Sequence, residues 1–134
     1  MIRVTVWNEY KHEREYEAIG RVYPQGIHGC IAAFLGVEAD FTVRTATFDM
    51  PEHGLTEEVL KETDVLVFWS HALQDAFSDE VAERVREAVL SGMGLVALHS
   101  AHFSKIMKKL LGTSMTLKWK HGEREKLWCI APTH

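Results

Sequence analysis

Val65-Leu66-Val67-Phe68-Trp69 is an unbroken apolar run between Thr63-Asp64 and Ser70-His71. A strand exposed on one face would alternate apolar and polar residues. A short continuous run rich in β-branched and aromatic side chains instead predicts a strand covered on both faces, as in a parallel sheet. Gly94-Leu95-Val96-Ala97-Leu98 repeats the pattern downstream. Between the two, Ser78 is placed to cap a helix whose first turn holds Asp79 and Glu80, where the helix dipole favours anions. Its buried stripe is Val81, Val85 and Val89, and Gly92 ends it. Strand, helix and strand in that order form a crossover unit.

The same reading extends in both directions. Ile2 to Trp7 alternates and predicts a first strand. Asn8 to Arg21 is too polar for a core helix and long for a connection, which predicts an irregular binding loop. A helix is expected to start near Pro24, with Ile27, Ile31 and Phe34 on its apolar face and Gly36 as its stop. Phe41 to Phe48 predicts a second strand, and Pro51-Glu52-His53-Gly54 a turn before a short helix capped by Thr56. After the fourth strand comes the turn His99-Ser100-Ala101-His102. A last helix follows, with Ile106, Met107, Leu110 and Leu111 on its apolar face, Lys105, Lys108 and Lys109 on its solvent side, and Gly112 at its end. Met115 to Lys120 and Leu127 to Ile130 are expected to pair as a hairpin, Trp119 against Trp128. The sum is an α/β fold, a flavodoxin-like parallel sheet with helices on both faces, followed by a β-hairpin.

Composition narrows the function. With 134 residues the chain suits one domain, and 46% hydrophobic with 25% charged residues is ordinary for a globular protein. Fifteen Lys and Arg against 19 Asp and Glu give a net charge of −4, which argues against a nucleic-acid partner. No apolar run reaches the length of a membrane span, and Met1 leads straight into a strand rather than a signal peptide. Two cysteines are too few for a disulfide framework, so a reducing compartment, the cytoplasm, is expected. Cys30 and Cys129 both read as buried apolar residues.

Eight histidines and four tryptophans carry the functional argument. In doubly wound sheets ligands bind beyond the carboxyl ends of the strands. Those ends hold Asn8, Glu9 and His12 after the first strand, His71 after the third, and His99 and His102 around the turn after the fourth, with His28 on the helix that follows the first loop, so that five histidines are expected to crowd towards one edge. One polar residue at a strand end is ordinarily a cap or a satisfied turn residue. His71, His99 and His102 together point to a site, and imidazole both transfers protons near neutrality and binds metals. The same three could hold a divalent ion such as zinc, although no compact metal-ligand motif is present. Ser100 sits where an elbow nucleophile would, but the small flanking residues of that motif are missing, so its hydroxyl reads as a cap. Trp7 and Trp69 end core strands; at the mouth of a polar site their indoles could stack on a sugar ring. His53 and His121 sit in polar turns and read as solvent-exposed, and the terminal His134 as frayed.

Several motifs resemble one family in order along the whole chain. They are Val6-Trp7-Asn8-Glu9-Tyr10, Tyr23-Pro24-Gln25-Gly26-Ile27-His28-Gly29, Pro51-Glu52-His53-Gly54-Leu55-Thr56, Ser70-His71, and Gly92 to Lys105. The family is the ThuA-like (trehalose utilisation) family. The resemblance implies a fold similar to class I glutamine amidotransferases and a role in the use of trehalose or related disaccharides through keto-sugar intermediates. The glutaminase relatives carry a cysteine at the elbow where Ser100 stands, so glutamine hydrolysis is not implied. Family members usually continue past Ala131-Pro132-Thr133-His134, and 1–134 is expected to be a single ThuA-like domain forming the N-terminal portion of a longer one.

The expected function is an isomerase-like proton transfer on a small carbohydrate, without a certain cofactor. Glu9, His28, His71, His99 and His102 are its expected catalytic residues, and Trp7, Asn8, Trp69 and Ser100 its substrate contacts. The competing readings are a non-catalytic sugar-binding or regulatory module and an inactive truncated product. The open side of the fourth strand makes a homo-oligomer possible.

Overall fold

In the computed structural model, which describes residues 1–118, 120–124 and 126–133, β1 (Ile2–Asn8) is the central strand. It pairs in parallel with β2 (Phe41–Thr47), from Ile2 opposite Phe41 to Asn8 opposite Thr47. On its other side it pairs in parallel with β3 (Val65–Trp69), from Val4 opposite Val65 to Asn8 opposite Trp69. The outer side of β3 pairs with β4 (Gly94–Leu98), and the strand order is β2-β1-β3-β4. The order of connection reverses between β1 and β3, the place where doubly wound sheets open a crevice. The expected α/β flavodoxin-like arrangement is therefore the observed one.

Alternation along the strands feeds two cores. Trp7, Leu66 and Phe68 pack on one face with Leu60, Val81, Val85 and Ile106, which come from α4 (Glu57–Lys61), α5 (Asp79–Leu90) and α6 (Lys105–Leu111). Val4, Val6 and Val67 pack on the other with Ile31, Ala32 and Leu35 of α3 (Gly26–Leu35). The apolar run that decides the fold is thus a strand whose successive side chains enter opposite cores. Arg3 and Asp64 clasp the starts of β1 and β3 through two side-chain bonds of 3.0 and 2.6 Å. Thr56, Ser78 and Ser104 cap α4, α5 and α6, each accepting a bond from the backbone N–H three residues on. Gly112 closes α6 at φ 65, a left-handed end that glycine adopts without strain.

Five expectations are corrected. β4 is not covered on both faces: it is the edge strand of the sheet, paired with β3 on one side among the described residues, and Val96 is 45% exposed. The stretch 8–21 is not irregular: it forms α1 (His12–Glu15) and α2 (Glu17–Val22), held by Lys11–Glu15 and Arg21–Glu17 pairs at helical spacing. Phe34 does not join the core; it is 73% exposed. Ile31 fits a stripe continued at i+3 by Phe34 or at i+4 by Leu35, and α3 lies on the sheet by its Ala32–Leu35 side. Cys30 and Cys129 are exposed rather than buried. Beyond Gly112 no strand forms among the described residues, so the hairpin is not borne out, and Trp119, half of its expected tryptophan pair, lies outside them. Lys105 and Lys109 reach across to Asp79 and Glu83, joining α6 to α5.

Leu66 is fully buried between β1 and α5, whereas Phe34 faces solvent. In urea titrations Leu66→Ala is expected to lose about 2–5 kcal/mol through cavity formation. Phe34→Ala should change stability by no more than about 0.5 kcal/mol.

Candidate functional site

The carboxyl ends of β1, β3 and β4 deliver the polar residues to one edge, but they divide them between two clusters. Behind the edge, Asn8 is fully buried. Its Nδ2 donates to Glu13 Oε1 at 2.6 Å and to His28 Nδ1 at 3.1 Å, and its Oδ1 accepts from Tyr10 N at 3.0 Å. Donation to Nδ1 puts the His28 proton on Nε2. Glu13 Oε1 also accepts from Ile27 N at 2.8 Å, fastening α1 to the first turn of α3. Burial lowers the His28 pKa below the ordinary histidine value of 6.5, and the Glu13 charge works against that shift.

The second cluster is open. His71 Nδ1 and His99 Nδ1 each lie 3.0 Å from Ser100 Oγ, and the two rings meet edge to face with centroids 4.7 Å apart. One hydroxyl can donate to one ring and accept from the other, so the three groups form a continuous hydrogen-bonded chain. His12 of α1 stands 5.2 Å from the His71 ring, and Trp69 stands 5.4 Å from His99 and 6.2 Å from His71. With Tyr16, Ile19, Tyr23 and Ile27 these residues line a cleft of about 500 Å³. No Lys, Arg, Asp or Glu is among its lining residues. Burial lowers the His71 pKa below 6.5; the neighbouring His99 and His12 add to the shift and Glu9 opposes it. His71 is therefore a neutral base at neutral pH.

The structure places the remaining expected residues differently. Glu9 is fully buried and does not line the cleft: its carboxylate accepts from Ala72 N (2.7 Å), Leu73 N (3.0 Å) and Ser70 Oγ (3.3 Å). Trp7 is core, not a sugar platform. It is 1% exposed, stacks on Phe68 at 4.4 Å, and donates its indole N–H to His53 O at 2.8 Å. Trp69 keeps a face at the cleft. Ser100 is not a helix cap, since its hydroxyl is taken by the two imidazoles. The strained residue of the turn is also not Ser100 but His99, at φ 56.

His102 does not join His71. Its Nδ1 lies 3.4 Å from His99 O and its ring packs on Phe103 at 4.4 Å. A 3₁₀ turn, His99–Phe103, carries residue 102 around the corner from residue 99. Consistent with this, no group of three His, Cys, Asp or Glu that could hold a metal ion occurs among the described residues, and the expected zinc set of His71, His99 and His102 is not assembled. His53 is not a solvent residue. It donates from Nδ1 to Phe48 O at 2.8 Å, accepts from Ser78 N on Nε2 at 3.1 Å, and lies between Phe48 and Phe77.

His12, which the sequence places at this edge but not among the expected site residues, lines the cleft with Tyr16. Its signal was the spacing of four to Tyr16, and the two rings lie 5.6 Å apart. A second groove, about 580 Å³ at the amino ends of the strands, is lined by α4 and α5. Its Arg84 is already engaged by Glu52, Glu80 and the Leu55 carbonyl. Among the described residues no helix is long and apolar enough to cross a membrane.

A family model described as ThuA, trehalose utilisation, matches residues 3–131 of the chain. No curated protein matches it.

The lowered His28 and His71 values fix the sign of a stability change. The unfolded chain takes up these protons near pH 6.5, before the folded protein does, so stability is greatest above that pH and falls as pH drops below it. Urea midpoints measured between neutral and mildly acidic pH are expected to fall for the wild type and to fall less for His28→Gln.

Proposed function

The chain belongs to the ThuA (trehalose utilisation) family, and from that premise we propose that its histidine cleft binds a keto-sugar derived from trehalose or a related disaccharide and isomerises it by proton transfer. The observation that carries this reading is the His71–Ser100–His99 chain, with both links at 3.0 Å, set beside Trp69 in an uncharged aromatic cleft. An indole face suits the C–H face of a sugar ring, and the lack of lysine and arginine in the lining suits a neutral one.

The reaction needs one base and one acid. His71, neutral at working pH, removes the proton on the carbon next to the ketone. The electrons of that C–H bond become the C=C of an enediol while the Nε2–H of His99 protonates the carbonyl oxygen; in the same step His71 Nδ1–H passes its proton to Ser100 and Ser100 passes its own to His99 Nδ1, so both rings stay neutral. In the second half the relay runs backwards: His71 Nε2–H gives its proton to the former carbonyl carbon, His99 Nε2 takes the proton of the other hydroxyl as that oxygen becomes the new carbonyl, and both rings return to their starting tautomers with no net gain or loss of atoms or electrons. His12, next to His71, contacts the sugar. The compartment in this reading is the cytoplasm, and the partner is the small carbohydrate itself.

The test is turnover and calorimetric binding of oxidised disaccharides by wild type, His71→Ala, His99→Ala and Ser100→Ala. His71→Ala and His99→Ala are expected to lose roughly 10²–10⁴-fold in turnover, the usual worth of a positioned acid or base, while melting normally. Ser100→Ala should retain binding and lose turnover. Tight binding without turnover by the wild type identifies a sugar-binding module instead, and equal binding by all four proteins removes the cleft from the account.

A further inference from the structure

Among the described residues Glu9 is the one fully buried acidic residue, and no cationic side chain is bonded to it. A buried carboxylate is costly unless hydrogen bonds replace its water. Here three donors do so, and all three belong to the short turn that leaves β3: Ser70 Oγ, Ala72 N and Leu73 N. That turn carries His71. Glu9 reaches it because β1 and β3 run side by side and finish together, Asn8 opposite Trp69. The His71 side chain makes a single hydrogen bond among the described residues, to Ser100, while the turn that carries it is held by a group that does not line the cleft.

We propose that Glu9 is the positioning residue of the histidine cleft: it clamps the 70–73 turn so that His71 meets Ser100, and its negative charge steadies His71 when the imidazole takes up a proton. The role rests on the reading of His71 as the base. Among the described residues the charged and titratable groups that face His71 are Glu9 from the end of β1, His12 from α1 and His99 from the turn after β4, with Tyr16 and Tyr23 across the cleft and the Lys11–Glu15 pair next along α1. Of these, Glu9 is the group that favours the imidazolium, against His99 and His12. A carboxylate held 2.7 to 3.3 Å from three donors moves little, so its field at His71 is set by the fold.

Two measurements test this without any sugar. In the wild type, the Ala72 and Leu73 amides lie in an exposed turn, yet hydrogen exchange is expected to be slowed there at least about tenfold relative to an unstructured chain; exchange at the unprotected rate overturns the clamp. The His71 titration is then followed by NMR in wild type, Glu9→Gln and Glu9→Asp. Glu9→Gln keeps the shape and removes the charge, and the His71 midpoint is expected to move to lower pH. Glu9→Asp keeps the charge and shortens the reach, and should return the midpoint towards the wild-type value. A midpoint unchanged in Glu9→Gln overturns the electrostatic role. Turnover is read separately. If the midpoint moves while no variant acts on a sugar, the isomerase reading fails and the positioning role of Glu9 stands.

Discussion

The parallel ladder between β1 and β3 is the constraint on which the rest of the structure depends. Pairing from Val4–Val65 to Asn8–Trp69 satisfies the backbones of two strands whose facing residues are mostly buried. It also forces both strands to end at the same level. The residues at the end of each strand, Asn8-Glu9 and Trp69-Ser70-His71, are therefore neighbours whatever their chemistry. Strand β4 joins the outer side of β3 with Trp69 opposite Leu98, and His99 arrives next to His71 for the same reason. A strand-end cleft is the geometric result of two registers among three strands.

Buried polar groups at that level must find partners in the protein, and their partners determine which of them can act on a ligand. Asn8 and Glu9 lie deepest and are fully consumed: Asn8 by Glu13, His28 and Tyr10, Glu9 by the turn after β3. His53, on the far side of Trp7, is consumed by Phe48 and Ser78 and so ties β2 to the cap of α5. His71 and His99 lie nearer to solvent, share one hydroxyl, and leave their second ring nitrogens free of bonds among the described residues. The gradient from structural to reactive polar groups follows depth below the surface.

Much of this could be read in the chain itself, and the misses have one cause. The four strands, the caps Thr56 and Ser78 and the stop at Gly112 are set by local pattern, and the structure has them where the pattern put them. His71, His99 and Trp69 followed from the topology, because ligands gather at strand ends. Glu9 and Trp7 were placed at the right level but on the wrong side of the surface, and half-buried His28 bonds Asn8 instead of lining the cleft. Depth is a property of what packs on top, and α1, α2 and α3 were only partly foreseen. His12 was placed at the edge but left out of the expected site because its segment read as loop, and a loop has no faces. His102 was grouped with His99 by spacing alone, although a 3₁₀ turn sends the two apart.

By itself, then, the sequence determined the parallel α/β sheet, the order of its elements and the set of histidines at its carboxyl edge. These are consequences of hydrophobic period and of residues whose effect is local. Tertiary structure decided which of those histidines share a proton path and which are locked in the fold. A hydrogen bond between His71 and Ser100 spans 29 positions, and one between Glu9 and Leu73 spans 64. No local pattern encodes such a pair; it exists only once two strand ends and the helices above them have been brought to the same few ångströms.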